Sequence, residues 1–430
     1  MKQILDLHIH SSYSRGTSKN STLEGLYKWG KIKGISIIGT GDFTHPVWFS
    51  EIREKLEPAE FGLFKLKEEI ASKIDKELPF SIRNKDIRFI LSVEISNIYS
   101  KNERVRKVHN LIVVPDFVTV SALNDQFSRI GNIKSDGRPI LGVDCKNLLS
   151  IVLNINPQAL FIPAHVWTPW FSLFGSKSGF DRIEEAFDEL TPEIKSIETG
   201  LSSDPFMNWR LSFLDNLTII SNSDAHSPEK IGREATILNC DLNYLDIRDA
   251  IYSNNQKLIG TIEFFPQEGK YHYDGHRACN VRFSPQETKK MGGVCPVCLK
   301  PLTIGVDYRV SELSDRPFEY RPQIHKSVEY IIPLIEIIAE VKKSTVGSKT
   351  VWEIYHRLIS SFGSEFEILR EIAIKDIEKS GFSEYSLAIE KMRKGDVYIN
   401  PGFDGVYGTI SIFKPEDKTT PYCGQMTFLK

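Results

Sequence analysis

At 430 residues, 41% of them hydrophobic, the chain is long enough to bury a large core and to form two or three domains. A formal net charge of −2 excludes a global basic field, so any nucleic-acid role must rest on local patches. No basic-then-apolar leader opens the sequence and no apolar run approaches a bilayer's span. The longest in the C-terminal part, 331–341, is broken by Pro333, Glu336 and Glu340, and a cytoplasmic protein without membrane contact is expected. Cys145, Cys240 and Cys423 are scattered while Cys279, Cys295 and Cys298 cluster, a pattern for a reducing compartment and one metal site rather than a disulfide framework.

In chain order, Ile4, Leu5, Leu7 and Ile9 read as a short buried strand through Asp6-Leu7-His8-Ile9-His10. Side chains two apart on a strand point the same way, so His8 and His10 project together where the strand yields to a polar loop, a ready seat for a divalent cation. A helix is expected over about 23–33. A second strand, 35–39, runs into Thr40-Gly41-Asp42-Phe43-Thr44-His45-Pro46; a third, 87–93, ends in Glu94; a fourth, 108–114, has His109 at its entrance. Beyond a polar helical middle come 159–163 leading to Ala164-His165, 195–197 leading to Glu198, and 217–220 leading to Ser221-Asn222-Ser223-Asp224-Ala225-His226. Strands alternating with segments of helical length predict a parallel sheet, and the repetition predicts a barrel.

His8, His10, Asp42, Glu94, His165, Glu198, Asp224 and His226 all fall at or just past the carboxyl ends of these runs, the ends that a (β/α) barrel gathers at one mouth. Each alone could cap a helix or turn a loop. Together they would crowd like charges on one rim unless divalent cations neutralised them. Imidazole with hard oxygen and no thiolate suits zinc, manganese or iron.

These ordered motifs, His8-x-His10, Gly-Thr-Gly-Asp42, Glu94, His109, Ala-His165 and Ser-Asp224-Ala-His226, resemble the polymerase-and-histidinol-phosphatase (PHP) superfamily over roughly residues 1–260. The resemblance implies a distorted seven-stranded (β/α) barrel that hydrolyses phosphoesters with two or three metals, zinc first, magnesium or manganese as alternatives. The longer motifs, Gly-Thr-Gly-Asp-Phe-Thr-His-Pro and Glu-Thr-Gly-Leu-Ser-Ser-Asp204-Pro, with the cysteine-rich segment that follows, are similar to the endonuclease Q family. That similarity implies a DNA endonuclease cutting 5′ to deaminated bases (uracil, hypoxanthine, xanthine) or abasic sites and leaving a 3′-hydroxyl and a 5′-phosphate. By the same resemblance, His8, His10, Glu94 and Asp224 would hold a first metal. Glu94 would bridge to a second completed by His109 and His165, and a third would fall to His226 with Asp42 or His45 nearby. Asp224, Glu198, Asp42 and Asp204 are the candidate catalytic carboxylates, Asp204 equally readable as an N-cap of the next helix. The chain departs from the superfamily where Arg15 and Gly16 replace a usual histidine or aspartate, and where Gly-Asp42-Phe-Thr-His45 replaces Thr-Asp-His.

After His165 the loop carries Trp167, Trp170, Phe171, Phe174 and Lys177, which suit an extruded base and a phosphate or else simply cover the barrel mouth. Tyr13 and Arg15 are further phosphate-contact candidates. His276-x2-Cys279 with Cys295-x2-Cys298 has zinc-ribbon spacing and predicts one structural zinc, with Asp274 or His272 as alternatives to His276. Residues 270–326 hold ten Lys and Arg against six Asp and Glu, the one stretch whose charge could follow a DNA backbone. From Pro322 the periodicity reads as helical (Val328, Ile331, Ile332, Ile335, Ile338), and the chain closes on a glycine-dense hairpin bearing Phe403 and Tyr407, candidate base contacts. The domains so read are 1–265 (metal-dependent phosphoesterase barrel), 266–322 (zinc-binding) and 323–430 (helical). The expected partner is DNA with deaminated bases or abasic sites; protein partners are open, a sliding clamp among them. The competing readings are a PHP-type phosphatase or 3′-5′ exonuclease, and a non-catalytic zinc-bearing DNA-binding module.

Overall fold

The fold is described from a computed structural model covering residues 2–253, 256–323 and 325–414; Cys423 lies outside them. The buried run at the start forms the strand Lys2–Asp6, which pairs in parallel with Ile37–Gly39 (Leu5 opposite Ile37). Ile37–Gly39 in turn pairs in parallel with Arg88–Lys101. Between the first two strands lies the helix Leu23–Lys33, as expected, capped by the Thr22 side chain on the Gly25 N–H and ended by Gly34 at φ 90°.

The sheet is mixed, not parallel throughout. Arg88–Lys101 and Arg104–Val114 form one long antiparallel hairpin, and Arg104–Val114 pairs antiparallel with Leu160–Pro163. Glu94 therefore does not end a strand; it lies mid-strand opposite Leu111, in a strand whose burial runs on past it through Ile95 to Asn97. Ser196–Glu198 and Thr218–Ile220 form a separate parallel pair, tied to the preceding strand through Val166 N to Glu198 O (3.1 Å). The bridge Ile9–Ala225 then leads back to the first strand. On the other side of Lys2–Asp6 the sheet extends antiparallel through Ala235–Asn239 and Leu258–Glu263. Leu5, Leu7, Ile37, Ile90, Leu111, Leu160, Ile162 and Ile220 share one buried apolar cluster, and a larger one packs the helices and the C-terminal part.

Asp274–His276 and Val281–Phe283 form a small antiparallel ribbon. The helical reading from Pro322 is corrected at its start. Ser327–Tyr330 is a strand that joins the central sheet parallel to Leu258–Glu263, and Pro333 stops it at the N-cap of the helix Leu334–Val341. The helices Lys349–Phe362 and Ser383–Arg393 follow, and the Tyr398–Asn400/Thr409–Ser411 hairpin closes the described chain. The helical part is keyed to the first helix by Glu365, which is buried and accepts from Lys33 Nζ (2.7 Å), Tyr355 Oη (2.6 Å) and Leu334 N (3.0 Å). Among the described residues no helix is long and apolar enough to cross a membrane.

Candidate active site

The strand ends bring the sequence-predicted donors into two adjoining groups. In one, ligand atoms of His8, His10, Glu94 and Asp224 lie within 4.8 Å of one another; in the other, so do those of Glu94, His109 and His165. Glu94 belongs to both through different oxygens. Its Oε2 faces His8 Nε2 (3.4 Å) and His10 Nε2 (3.2 Å), and its Oε1 faces His109 Nδ1 (2.5 Å) and His165 Nε2 (3.0 Å). Asp224 Oδ1 completes the first group, 3.1 Å from His10 Nε2. Asp42, His165 and Asp224 all have positive φ (50°, 31° and 47°), a conformation non-glycine residues adopt rarely and here repeated at three strand ends.

The imidazoles of His8 and His10 are each aimed by a buried acceptor. Both Glu198 oxygens lie 3.0–3.1 Å from His8 Nδ1, which makes Nδ1 the protonated nitrogen and leaves the Nε2 lone pair pointing into the first group. That Nε2 is buried and has no hydrogen-bond partner, as a metal-ligating nitrogen would. Asp42 does the same for His10, with Oδ1 3.1 Å from Nδ1 while Oδ2 accepts from Ser11 N (2.7 Å), Ser11 Oγ (2.6 Å) and Ser14 Oγ (2.8 Å). Glu198 also accepts from His165 N (2.8 Å) and Asn222 Nδ2 (2.8 Å). Asp6, at the carboxyl end of the first strand, accepts from Ser223 N (3.0 Å) and Gly232 N (2.8 Å) and so fixes the Asp224 loop.

Electrostatics follow from burial and crowding. Burial alone would keep His8 neutral, but Glu198 and Glu94 outweigh it and lift its pKa well above the ordinary imidazole value; Asp42 and Asp224 do the same for His10. Glu94 is driven the other way, well below the carboxylate range, by His109, His8 and Arg138 against the effect of burial. Burial pushes His109 down to about 4. The donor set, imidazole nitrogen with carboxylate oxygen, is one that suits divalent cations, and Glu94 belongs to both groups. Among the described residues His226, Asp42 and His45 do not form a third such group. Asp42 is spent on His10, Ser11 and Ser14, His45 stacks on Tyr13 (4.5 Å) as the N-cap of Pro46–Lys55, and His226 Nδ1 lies 2.9 Å from the Asp224 carbonyl.

Asp204 is not brought into the cluster. It caps Pro205–Asn208 through Met207 N (2.8 Å) and accepts from Tyr330 Oη (2.6 Å), which ties the outer strand to the Gly200 loop. The aromatic loop divides. Trp167 and Phe174 are fully buried against each other, and Trp167 Nε1 donates to Asn208 Oδ1 (2.8 Å); Phe403 is buried too. Trp170 (40% exposed), Phe171, Arg15 and Tyr407 (69% exposed) instead line an open cleft of about 860 Å³ above His109, His165 and Asp224. Tyr13 donates to Glu51 Oε1 (2.6 Å), and the exposed Lys177 is not among the residues lining the cleft. The cleft also shows Arg138, Arg233, Lys270 and Tyr271, which sequence reasoning missed. None sits in a patterned run; only the charge excess of 270–326 pointed to Lys270. Arg233 donates from Nε to the Ser223 carbonyl (3.0 Å), behind Asp224. At the edge of the fold His276, Cys279, Cys295 and Cys298 bring four donors within 4.8 Å. Asp274 is instead engaged by Gly305 N (2.6 Å), and His272 is buried apart.

Imidazoles and carboxylates buried at contact distance repel or trap protons unless cations hold them. Their position at the floor of a wide cleft is what a metal-dependent hydrolytic enzyme requires. Over 431 aligned residues the chain is 30% identical to Bacillus subtilis YqxK, covering 95% of this chain and 100% of that protein, and it belongs to the YqxK family. It is 35% identical over 261 residues to MJ0043 of Methanocaldococcus jannaschii, 58% of this chain and 32% of that protein, so it spans about a third of that relative's length. The family described as MJ0043 C-terminal domain matches residues 333–396.

Among solved structures, the lesion-specific endonuclease EndoQ from Pyrococcus furiosus superposes with a TM-score of 0.83 at 28% identity over 98% of both chains. An endonuclease Q bound to a 27-mer duplex with an abasic lesion at its active site gives 0.82 at 28% identity, over 98% of this chain and 99% of that one. The protein is endonuclease Q-like.

Proposed function

We propose that this chain is a metal-dependent DNA endonuclease that hydrolyses the phosphodiester 5′ to a deaminated base or an abasic site, leaving a 3′-hydroxyl and a 5′-phosphate. The observation that carries it is one buried carboxylate, Glu94, shared by two donor groups at the floor of a cleft walled by Arg15, Arg138, Arg233 and Lys270 and by the rings of Trp170, Tyr271 and Tyr407. The fold relationship to a lesion-specific endonuclease supports the substrate class. His8, His10, Glu94 and Asp224 would hold one divalent ion, and Glu94, His109 and His165 a second. Such ions supply Lewis acidity and a water acidic enough to ionise near neutral pH.

The chain's own residues do the rest. Glu198 and Asp42 fix the tautomers of His8 and His10. Asp224, partly open to the cleft, is positioned to orient the attacking water or accept its proton. Trp170, Tyr271 and Tyr407 offer faces and edges on which a base could stack, with Lys270 over two of these rings.

We read the strands that lead round from Lys2–Asp6 through Thr218–Ile220 as a distorted seven-stranded barrel spanning 1–265, with 266–322 as a zinc-binding unit and 323–430 as a helical one. In the second unit, His276, Cys279, Cys295 and Cys298 have the donors of a closed zinc site. A buried thiol at Cys145, outside any disulfide, fits a cytoplasmic setting.

One assay tests the reading: labelled duplexes with a single deoxyuridine, deoxyinosine or abasic site, beside an undamaged duplex and a chromogenic phosphate monoester. Internal nicking confined to the damaged strands is expected, and lost in Asp224→Ala with unchanged circular dichroism. Phosphate release or end-trimming alone would replace the reading with a phosphatase or an exonuclease. Tight binding without cleavage would leave a DNA-binding module.

A further inference from the structure

Arg138 stands against the shared carboxylate. Its Nη1 lies 3.1 Å from Glu94 Oε2, the oxygen that also faces His8 and His10. The side chain is 27% exposed and lines the cleft. Its loop is pinned to the metal-side network: Gly137 N donates to Tyr13 O (3.1 Å), Thr44 Oγ1 to Gly137 O (3.3 Å) and Arg138 N to Asp136 Oδ1 (3.2 Å). A side chain at Gly137 would press into Asp42, so the loop approaches as closely as glycine permits.

We propose that Arg138 is a catalytic residue that grips the phosphate under attack, and that it is freed for this when a cation fills the His8–His10–Glu94–Asp224 group. The guanidinium and that cation draw on the same carboxylate oxygen. With the group filled, Glu94 is neutralised and Arg138 is left with donors facing the cleft, where a phosphodiester oxygen is the acceptor of matching charge and geometry. During attack the water oxygen bonds to phosphorus and the bond from phosphorus to O3′ breaks. The proton lost by water is balanced by the one gained at O3′, and Arg138 keeps its own. Its contribution is to the negative charge that builds on the non-bridging oxygens. The inference rests on the phosphodiesterase reading but not on the lesion.

The test uses the full chain, with Arg138→Ala, Arg138→Gln and Arg138→Lys. Mn²⁺ affinity is measured by chelator competition, and turnover on bis(p-nitrophenyl) phosphate and on a deoxyuridine duplex at saturating Mn²⁺. Removing a charged partner from Glu94 should tighten Mn²⁺ binding about tenfold, while kcat falls about 10²–10³-fold with KM little changed. Arg138→Lys should recover part of the turnover. Equal or weaker Mn²⁺ binding in both Ala and Gln variants would make Arg138 a prop for Glu94 and overturn the proposal, as would undiminished kcat. Should the wild type cleave the model diester but not the duplex, the lesion reading fails while the Arg138 comparison still decides this one.

Discussion

Glu198 is expected to control the metal centre without touching a metal, and Glu198→Gln isolates how. The carboxylate is fully buried and accepts from three donors, His8 Nδ1, His165 N and Asn222 Nδ2. Glutamine keeps the volume and one oxygen but places an NH2 group where a second acceptor is needed, so at least one buried donor meets a donor. If that donor is His8 Nδ1, the ring flips its tautomer or rotates, and the Nε2 lone pair no longer points at Glu94 and Asp224. Losing the acceptor that orients a ligand histidine lowers metal affinity about 10–100-fold, which is about 1.4–2.8 kcal/mol. Glu198→Ala removes the acceptor for all three donors and should cost about 3–5 kcal/mol in the metal-free protein, the range for breaking one side of a buried charged network. Chelator competition for Mn²⁺ and urea unfolding of the metal-free protein measure the two effects separately. A glutamine variant that binds Mn²⁺ within twofold of the wild type would refute the tautomer argument, and an alanine variant destabilised by less than about 1 kcal/mol would refute the three-donor accounting.

Protons and cations compete at the same nitrogens, because carboxylates hold His8 and His10 above the ordinary imidazole range in the metal-free centre. Cation affinity should therefore weaken as pH falls, and uptake near pH 7 should release protons; titration calorimetry in two buffers of different ionisation heat reads this, and proton-neutral uptake would contradict it. By the same linkage, these raised values stabilise the metal-free protein fully below the unfolded histidine pKa, and that contribution disappears as pH rises through the folded values. Trp167→Ala should destabilise by about 3–5 kcal/mol as a core truncation, whereas Trp170→Ala should change stability by less than about 0.5 kcal/mol and act on KM for a lesion duplex. Melting curves paired with kinetics separate them, and the reverse pattern would mean the loop is wrongly divided. Cys295→Ser should remove one metal equivalent by elemental analysis while leaving Mn²⁺ binding at the His8–Glu94–Asp224 centre unchanged; an unaltered metal count would show that the four donors do not form a site.

The sequence by itself determined the donor types and their order along the chain. His8 and His10 come two residues apart just past the strand Lys2–Asp6, and apolar runs of strand length end close to His165, Glu198 and Asp224 because a buried strand must stop where polar side chains begin. The CxxC spacing likewise fixed the Cys295–Cys298 half of the histidine–cysteine group. What one dimension could not carry was pairing.

That Glu94 lies mid-strand, in an antiparallel hairpin that sets His109 opposite Ser96, depends on which strand it pairs with, and local pattern is the same for either partner. The division of the aromatic loop into a buried Trp167 and a cleft-facing Trp170 depends on where Phe174 and Asn208 arrive. The roles of Asp42 and Glu198, acceptors for imidazole rather than ligands, follow from a contact 32 residues away in one case and 190 in the other. Arg138 has no sequence signal at all. Its place beside Glu94 comes from a glycine turn that lets one loop lie flat against another, a contact that only the tertiary structure makes.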